Sequence, residues 1–193
     1  LESVRILQGG QPTDPELYGA VTARAVDLPE IQAPRCARVF LLAVSAQEAE
    51  SRGLVGQPTS WSAAIDALAF GRAIDSTDAR MMRLDRGETP KPRLFAIAAG
   101  NIRDLRPTDD HLDISDLRPV EDPGQAWNAI TVGAYAAKDD MSGADPIFDG
   151  YTPIAARGEL SPVSRTSVTF DAKNWPFKPE VVADGGNWAA SPD

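Results

Sequence analysis

The chain is poor in the residues that most often announce a function. A single cysteine, Cys36, among 193 residues excludes an internal disulfide and any thiolate zinc cluster; the thiol reads as a core or near-core group, with a lean toward the cytoplasm. A single histidine, His111, confines imidazole chemistry to one position. No apolar run approaches the roughly 20 residues that cross a bilayer, and no charged-then-apolar leader opens the sequence, so it reads as soluble. Basic residues are scarce: 19 Lys and Arg face 28 Asp and Glu, a formal net charge of -9. Without a basic run there is no phosphate-binding face, which excludes nucleic acid or an anionic membrane as a main partner. Absent too are G-x-x-x-x-G-K and G-x-G-x-x-G, which leaves nucleotide binding with fold class alone behind it, and G-x-S-x-G, which removes the nucleophile elbow.

What is there suits one sizeable core. With 42% hydrophobic and 24% charged residues, the chain is expected to form a single domain over residues 1–193. "LESVRIL" has the spacing of a short strand and runs into a Gly/Pro loop. "DPELYGAVTARAVDL" places Leu17, Val21 and Ala25 at helical spacing, with Asp14 as N-cap and Pro15 at the first helical position. "CARVFLLAVSA" is a continuous apolar run, the mark of a strand covered on both faces. "PTSWSAAIDALAFGRAI" reads as a second helix, with Ile65, Leu68 and Ala69 on one face and Thr59 or Ser60 as cap. "PRLFAIAAGN" is a third strand. This alternation predicts an α/β fold: three layers, a mainly parallel sheet with helices on both faces. Residues 102–126 are acidic and punctuated by proline, and read as a polar surface excursion carrying His111. "AWNAITVGAYAAK" supplies a strand with Ile130 and Val132 facing one way and Thr131 and Gly133 the other, and "FKPEVVADGGN" a short buried one.

The stretch "RLFAIAAGN" poses the functional question. In an open parallel sheet ligands bind beyond the carboxyl ends of the strands, so Gly100 and Asn101 stand at the rim. An Asn there can donate its amide to a developing oxyanion, an interaction whose removal costs about 3–4 kcal/mol of barrier. Ala98, Ala99 and Gly100 are small enough for a peptide to lie against them. Asn and Gly also end strands in ordinary turns, and these residues alone do not separate the two uses.

The order of segments does more. "AIAAGN", "WNAITVGAY", "LSPVSRT" and "KPEVVADGGN" resemble, in order and spacing, the central run of the subtilisin-like serine peptidases (peptidase family S8), and the similarity covers nearly the whole chain. The resemblance implies that Asn101 is the oxyanion-hole residue, that Ala98, Ala99 and Gly100 form a wall of the substrate pocket, and that the partner is a peptide or protein substrate. "VSAQ" corresponds to the family's peptide-binding edge but lacks glycines at Ala46 and Gln47, a departure that alters the pocket. The family's triad segments, D-T/S-G, H-G-T and G-T-S, do not occur here, and a serine nucleophile needs a positioned imidazole. Starting at Leu1 without methionine, the chain therefore reads as a processed or excised central fragment, inactive alone. The alternatives are a peptidase-like domain that binds peptides without catalysis, and an unrelated nucleotide- or small-molecule-binding α/β domain.

His111, in "TDDHLD", reads as an ordinary surface-loop histidine. The acidic clusters at Asp109, Asp110, Asp113 and Asp116, and at Asp139, Asp140 and Asp145, lack the calcium-loop pattern. Calcium, which many subtilisin-like enzymes bind, is the one cofactor to consider, and solvated loop charge is the simpler reading of these residues. Trp61, Trp127, Trp175 and Trp188 read as packing anchors. A sheet stripped of outer segments exposes strand edges, which predicts a homo-oligomer formed through such an edge.

Overall fold

The computed structural model describes residues 2–6, 13–46, 56–71, 73–75, 82–84, 91–106, 108–168 and 176–192; the expected roles of Gln47 and Trp175 lie outside them. The first helix starts as designed by its sequence. Asp14 accepts from the Glu16 amide at 3.0 Å, Pro15 opens a 3-10 turn over Pro15–Leu17, and α1 follows over Tyr18–Gln32. Its buried stripe is Gly19, Thr22, Ala23, Val26 and Pro29, one position away from the expected Leu17, Val21, Ala25 set, and Leu17 is exposed. The 3-10 turn advances the chain by a different angle per residue than an α-helix, so the helical phase cannot be extrapolated through it.

The second helix, α2, spans Ser60–Phe70. Thr59 is its N-cap, accepting from the Trp61 amide at 3.1 Å, and Gly71 ends it at φ +86, the left-handed conformation that glycine adopts without strain. Strand β1 is Val39–Leu42, and a short antiparallel pair, β2 Ala73–Asp75 and β3 Met82–Leu84, follows α2; neither run is long enough to show an alternation in sequence. The remaining strands are β4 Leu94–Ala98, β5 Ile130–Tyr135, β6 Thr152–Pro153, β7 Val181–Asp184 and β8 Ala189–Ala190, with a short α3 at His111–Leu117. The main sheet has the order β1-β4-β5-β7 and every pair in it is parallel. Residues 2–6, expected as a strand, join no sheet; Glu2 is instead tied to Arg38 by an ion pair at 2.7 Å.

The core lies on one face of this sheet. Val26 and Ala23 of α1 and Trp61, Ile65, Leu68 and Ala69 of α2 pack on Phe95 and Ile97 of β4, with Phe40 and Leu42 of β1 beside them. Phe40 and Phe95 stack across the β1–β4 pair at 5.2 Å, and the buried Trp61 indole donates to Thr22 at 2.9 Å. The other face is open: Val39 is 64% and Leu41 73% exposed, and Leu94, Ile130 and Val181 are exposed beside them. The α/β architecture is the expected one, a mainly parallel sheet with helices packed on it, while the two-sided cover expected for β1 is one-sided among the described residues. β5 alternates as expected, with Thr131 and Gly133 inward. β7, expected to be buried, is an exposed edge strand, because an apolar run says that a strand favours burial and not whether a neighbour is there to cover it. Among the described residues, no helix is long and apolar enough to cross a membrane.

Candidate functional site

Strand β4 lies inside the sheet, so its carboxyl end opens mid-rim rather than at an edge. There the backbone leaves the strand in three steps. The Ala99 amide donates to Val132 of β5 at 3.0 Å. Gly100 turns at φ +97, a conformation in which a side chain would be strained. Asn101 then forms an isolated antiparallel bridge with Ser164, and the Ile102 amide donates to Val163 at 2.9 Å. Ala99 is buried, Ala98 and Gly100 are half-buried, and Asn101 is exposed. The Asn101 side chain makes no hydrogen bond among the described residues, so its amide is available to an incoming acceptor.

The returning excursion closes the rim from below. Its polar composition suggested surface, yet Pro119–Ala126 is buried throughout, because this segment threads between the ends of β1 and β4. The Glu121 amide donates to Ala99 at 2.9 Å, and Ala46, just past β1, donates to Asp122 at 2.8 Å. The Glu121 carboxylate, 4% exposed, accepts from the Ser45 hydroxyl and lies 2.9 Å from the Arg165 guanidinium, with Arg103 at 3.7 Å. Asp122 points the other way, toward α2, where the Thr59 hydroxyl at 2.8 Å and the Ser62 hydroxyl donate to it. Burial pushes its carboxyl above the usual carboxylate range, and the Ser62 and Thr59 hydrogen bonds pull it part of the way back. Beyond Ser45 a cavity of about 120 Å³ is lined chiefly by Tyr18, Val21, Val44 and Trp61.

The structure therefore brings Ala98, Ala99, Gly100 and Asn101 to one rim and adds Ser45, Glu121 and Arg165, which sequence reasoning missed. A charged residue set between prolines and apolar residues, as in "PVEDPGQAW", was the available signal. Other expectations shift. His111 is not on a surface loop: it is buried at the start of α3, its Nε2 4.0 Å from a Glu159 oxygen. Cys36 is exposed rather than in the core. Trp61 is buried, whereas Trp127 is exposed. Asp110, Asp140 and Asp145 each accept from a backbone amide two residues on, the local bonding that favours Asp in turns. Among the described residues no three metal-ligating side chains converge.

Neither curated proteins nor solved structures gave a match. The family model of the subtilase family, peptidase S8, matches residues 1–192, nearly the whole length. The chain belongs to the subtilase family, the subtilisin-like serine peptidases, and its mainly parallel sheet with helices accords with that fold.

Proposed function

We propose that this chain is the oxyanion and substrate-cleft portion of a subtilisin-like serine endopeptidase, with Asn101 as the oxyanion donor and Ala98, Ala99 and Gly100 as the wall against which the substrate lies. The observation that carries the reading is the Asn101 side chain: exposed, unengaged among the described residues, and projecting from a backbone bridged to Ser164. In acyl transfer a serine oxygen attacks the peptide carbonyl, whose oxygen gains a full negative charge as the carbon becomes tetrahedral. A fixed amide N–H placed beside that oxygen stabilises the charge without reorganising at the moment of reaction.

The sequence holds no H-G-T and no G-T-S segment; on this reading residues 1–193 bind a peptide without cleaving it, and cleavage needs a nucleophile and a base that they do not supply. Fluorophosphonate labelling followed by intact-mass measurement tests this on the chain and on the full-length product side by side. An adduct on the long form alone is the expected result. An adduct on neither form replaces this reading with a peptidase-like domain that binds peptides without catalysis.

A further inference from the structure

Three segments distant in sequence meet beneath Asn101, and one side chain ties them. Arg165 is nearly buried, its side chain 5% exposed. Its Nε donates to the Asn101 carbonyl oxygen at 3.0 Å, its Nη1 to the Pro119 carbonyl oxygen at 3.3 Å, and its Nη2 lies 2.9 Å from Glu121 Oε1. Glu121 in turn lies flat across Gly100, where an added Cβ would come within 2.5 Å of its Oε2. Stability alone gives little reason for such a pair, since burying two ions costs roughly what their attraction returns. A guanidinium does something an aliphatic side chain cannot. Its planar fork holds several acceptors at fixed angles.

We propose that Arg165 is the positioning residue for Asn101: through the Asn101 carbonyl, and through Glu121 packed on Gly100, it sets the backbone plane from which the oxyanion donor projects. The inference rests on the reading of Asn101 given above. On the other side, the bridge to Ser164 and the bond from the Ile102 amide to Val163 hold the same residue, so the Asn101 main chain is tethered on both sides. Such tethering matters for a group whose value lies in being aimed before the reaction starts, where a displacement of about 1 Å costs on the order of 100-fold in rate.

Arg165→Ala would strand a buried carboxylate and risks losing the fold, so the test uses Arg165→Lys, which keeps the charge but cannot span three acceptors with one ammonium. It is made with and without Asn101→Ala in the full-length gene product, and kcat and KM are followed on a chromogenic peptide substrate. Asn101→Ala is expected to lower kcat about 100- to 1,000-fold. Arg165→Lys is expected to lower kcat about 10-fold with little change in KM, the pattern of an interaction made only in the transition state. In the Asn101→Ala background the same change should cost less than about twofold, because the group it positions is gone. An equal loss with and without Asn101, or a loss confined to KM, overturns the positioning role and leaves Asn101 standing. A gene product that does not hydrolyse peptides, or whose hydrolysis ignores Asn101→Ala, overturns the reading of Asn101 and this inference with it. Should Arg165→Lys fail to fold, the same cycle with Glu121→Gln, which keeps the packing on Gly100, decides between the same outcomes.

Discussion

The two faces of the main sheet carry similar residues and meet different fates. Phe40, Leu42, Phe95 and Ile97 point under α1 and α2 into the core, while Val39, Leu41 and Leu94, their neighbours along the same strands, face outward. Alternation along a strand divides residues between faces, but only a covering element turns an apolar face into stability. The covered face is also pinned by polar groups at both ends of its helices. Asp122 collects the hydroxyls of Thr59 and Ser62 at the start of α2. Glu30, near the end of α1, takes a two-pronged contact from Arg93 at 2.8 and 2.9 Å, and the same guanidinium donates to the Leu68 carbonyl of α2. Nothing comparable holds the outer face among the described residues.

This difference can be broken by mutation, beginning where it is largest. Phe95→Ala removes a fully buried ring that both stacks on Phe40 and supports α2, and should cost about 3–5 kcal/mol in urea unfolding of the chain; a loss below about 1 kcal/mol would mean that the helices are not seated on β4. Asp122→Ala is expected to cost about 1–3 kcal/mol in the same assay, because it leaves two hydroxyls and an amide at the head of α2 without their acceptor. A neutral outcome would show the pin to be dispensable.

The third test is in pH. Hydrogen bonding to Arg93 holds the Glu30 carboxyl below its ordinary value of 4.5, against the opposing effect of burial. A lowered carboxyl contributes stability that is present above its unfolded value and lost as pH falls from about 4.5 through the folded value. Glu30→Gln should therefore cost up to about 1 kcal/mol at pH 7 and progressively less in acid, and a constant difference between variant and parent from pH 7 to pH 3 would refute the linkage. Asp122 has the opposite sign: raised by burial, it favours the folded state below its ordinary 3.8 and loses that contribution as pH rises. The smallest effect belongs to the open face, where Leu41→Ser should change the stability of the chain by less than about 0.5 kcal/mol; a loss comparable to that of Phe95→Ala would mean that a second layer or a second copy covers it.

Much of this architecture was readable in advance because it is local. Asp14 before Pro15 and Thr59 before Ser60 act on amides within a turn of themselves; the stop at Gly71 did not enter that reading, which carried α2 on into residues that form β2. The alternation of β5 and the asparagine closing β4 are likewise written in adjacent residues, which is why Asn101 and the small residues before it could be singled out. The face of α1 was misread by one position, since the phase of a helix depends on how the preceding turn hands it over.

By itself, then, the sequence determined the main alternation of helices and parallel strands, the N-caps of the two long helices, and the strand end where an amide reaches the rim, all of them matters of short-range geometry. Tertiary structure alone decided which strand faces are covered, that Pro119–Ala126 is interior, and that Glu121 meets Arg165 under Gly100. The physical reason is that burial and ion pairing depend on what lies across space, and these partners are set by how the chain crosses between strands rather than by any pattern along it.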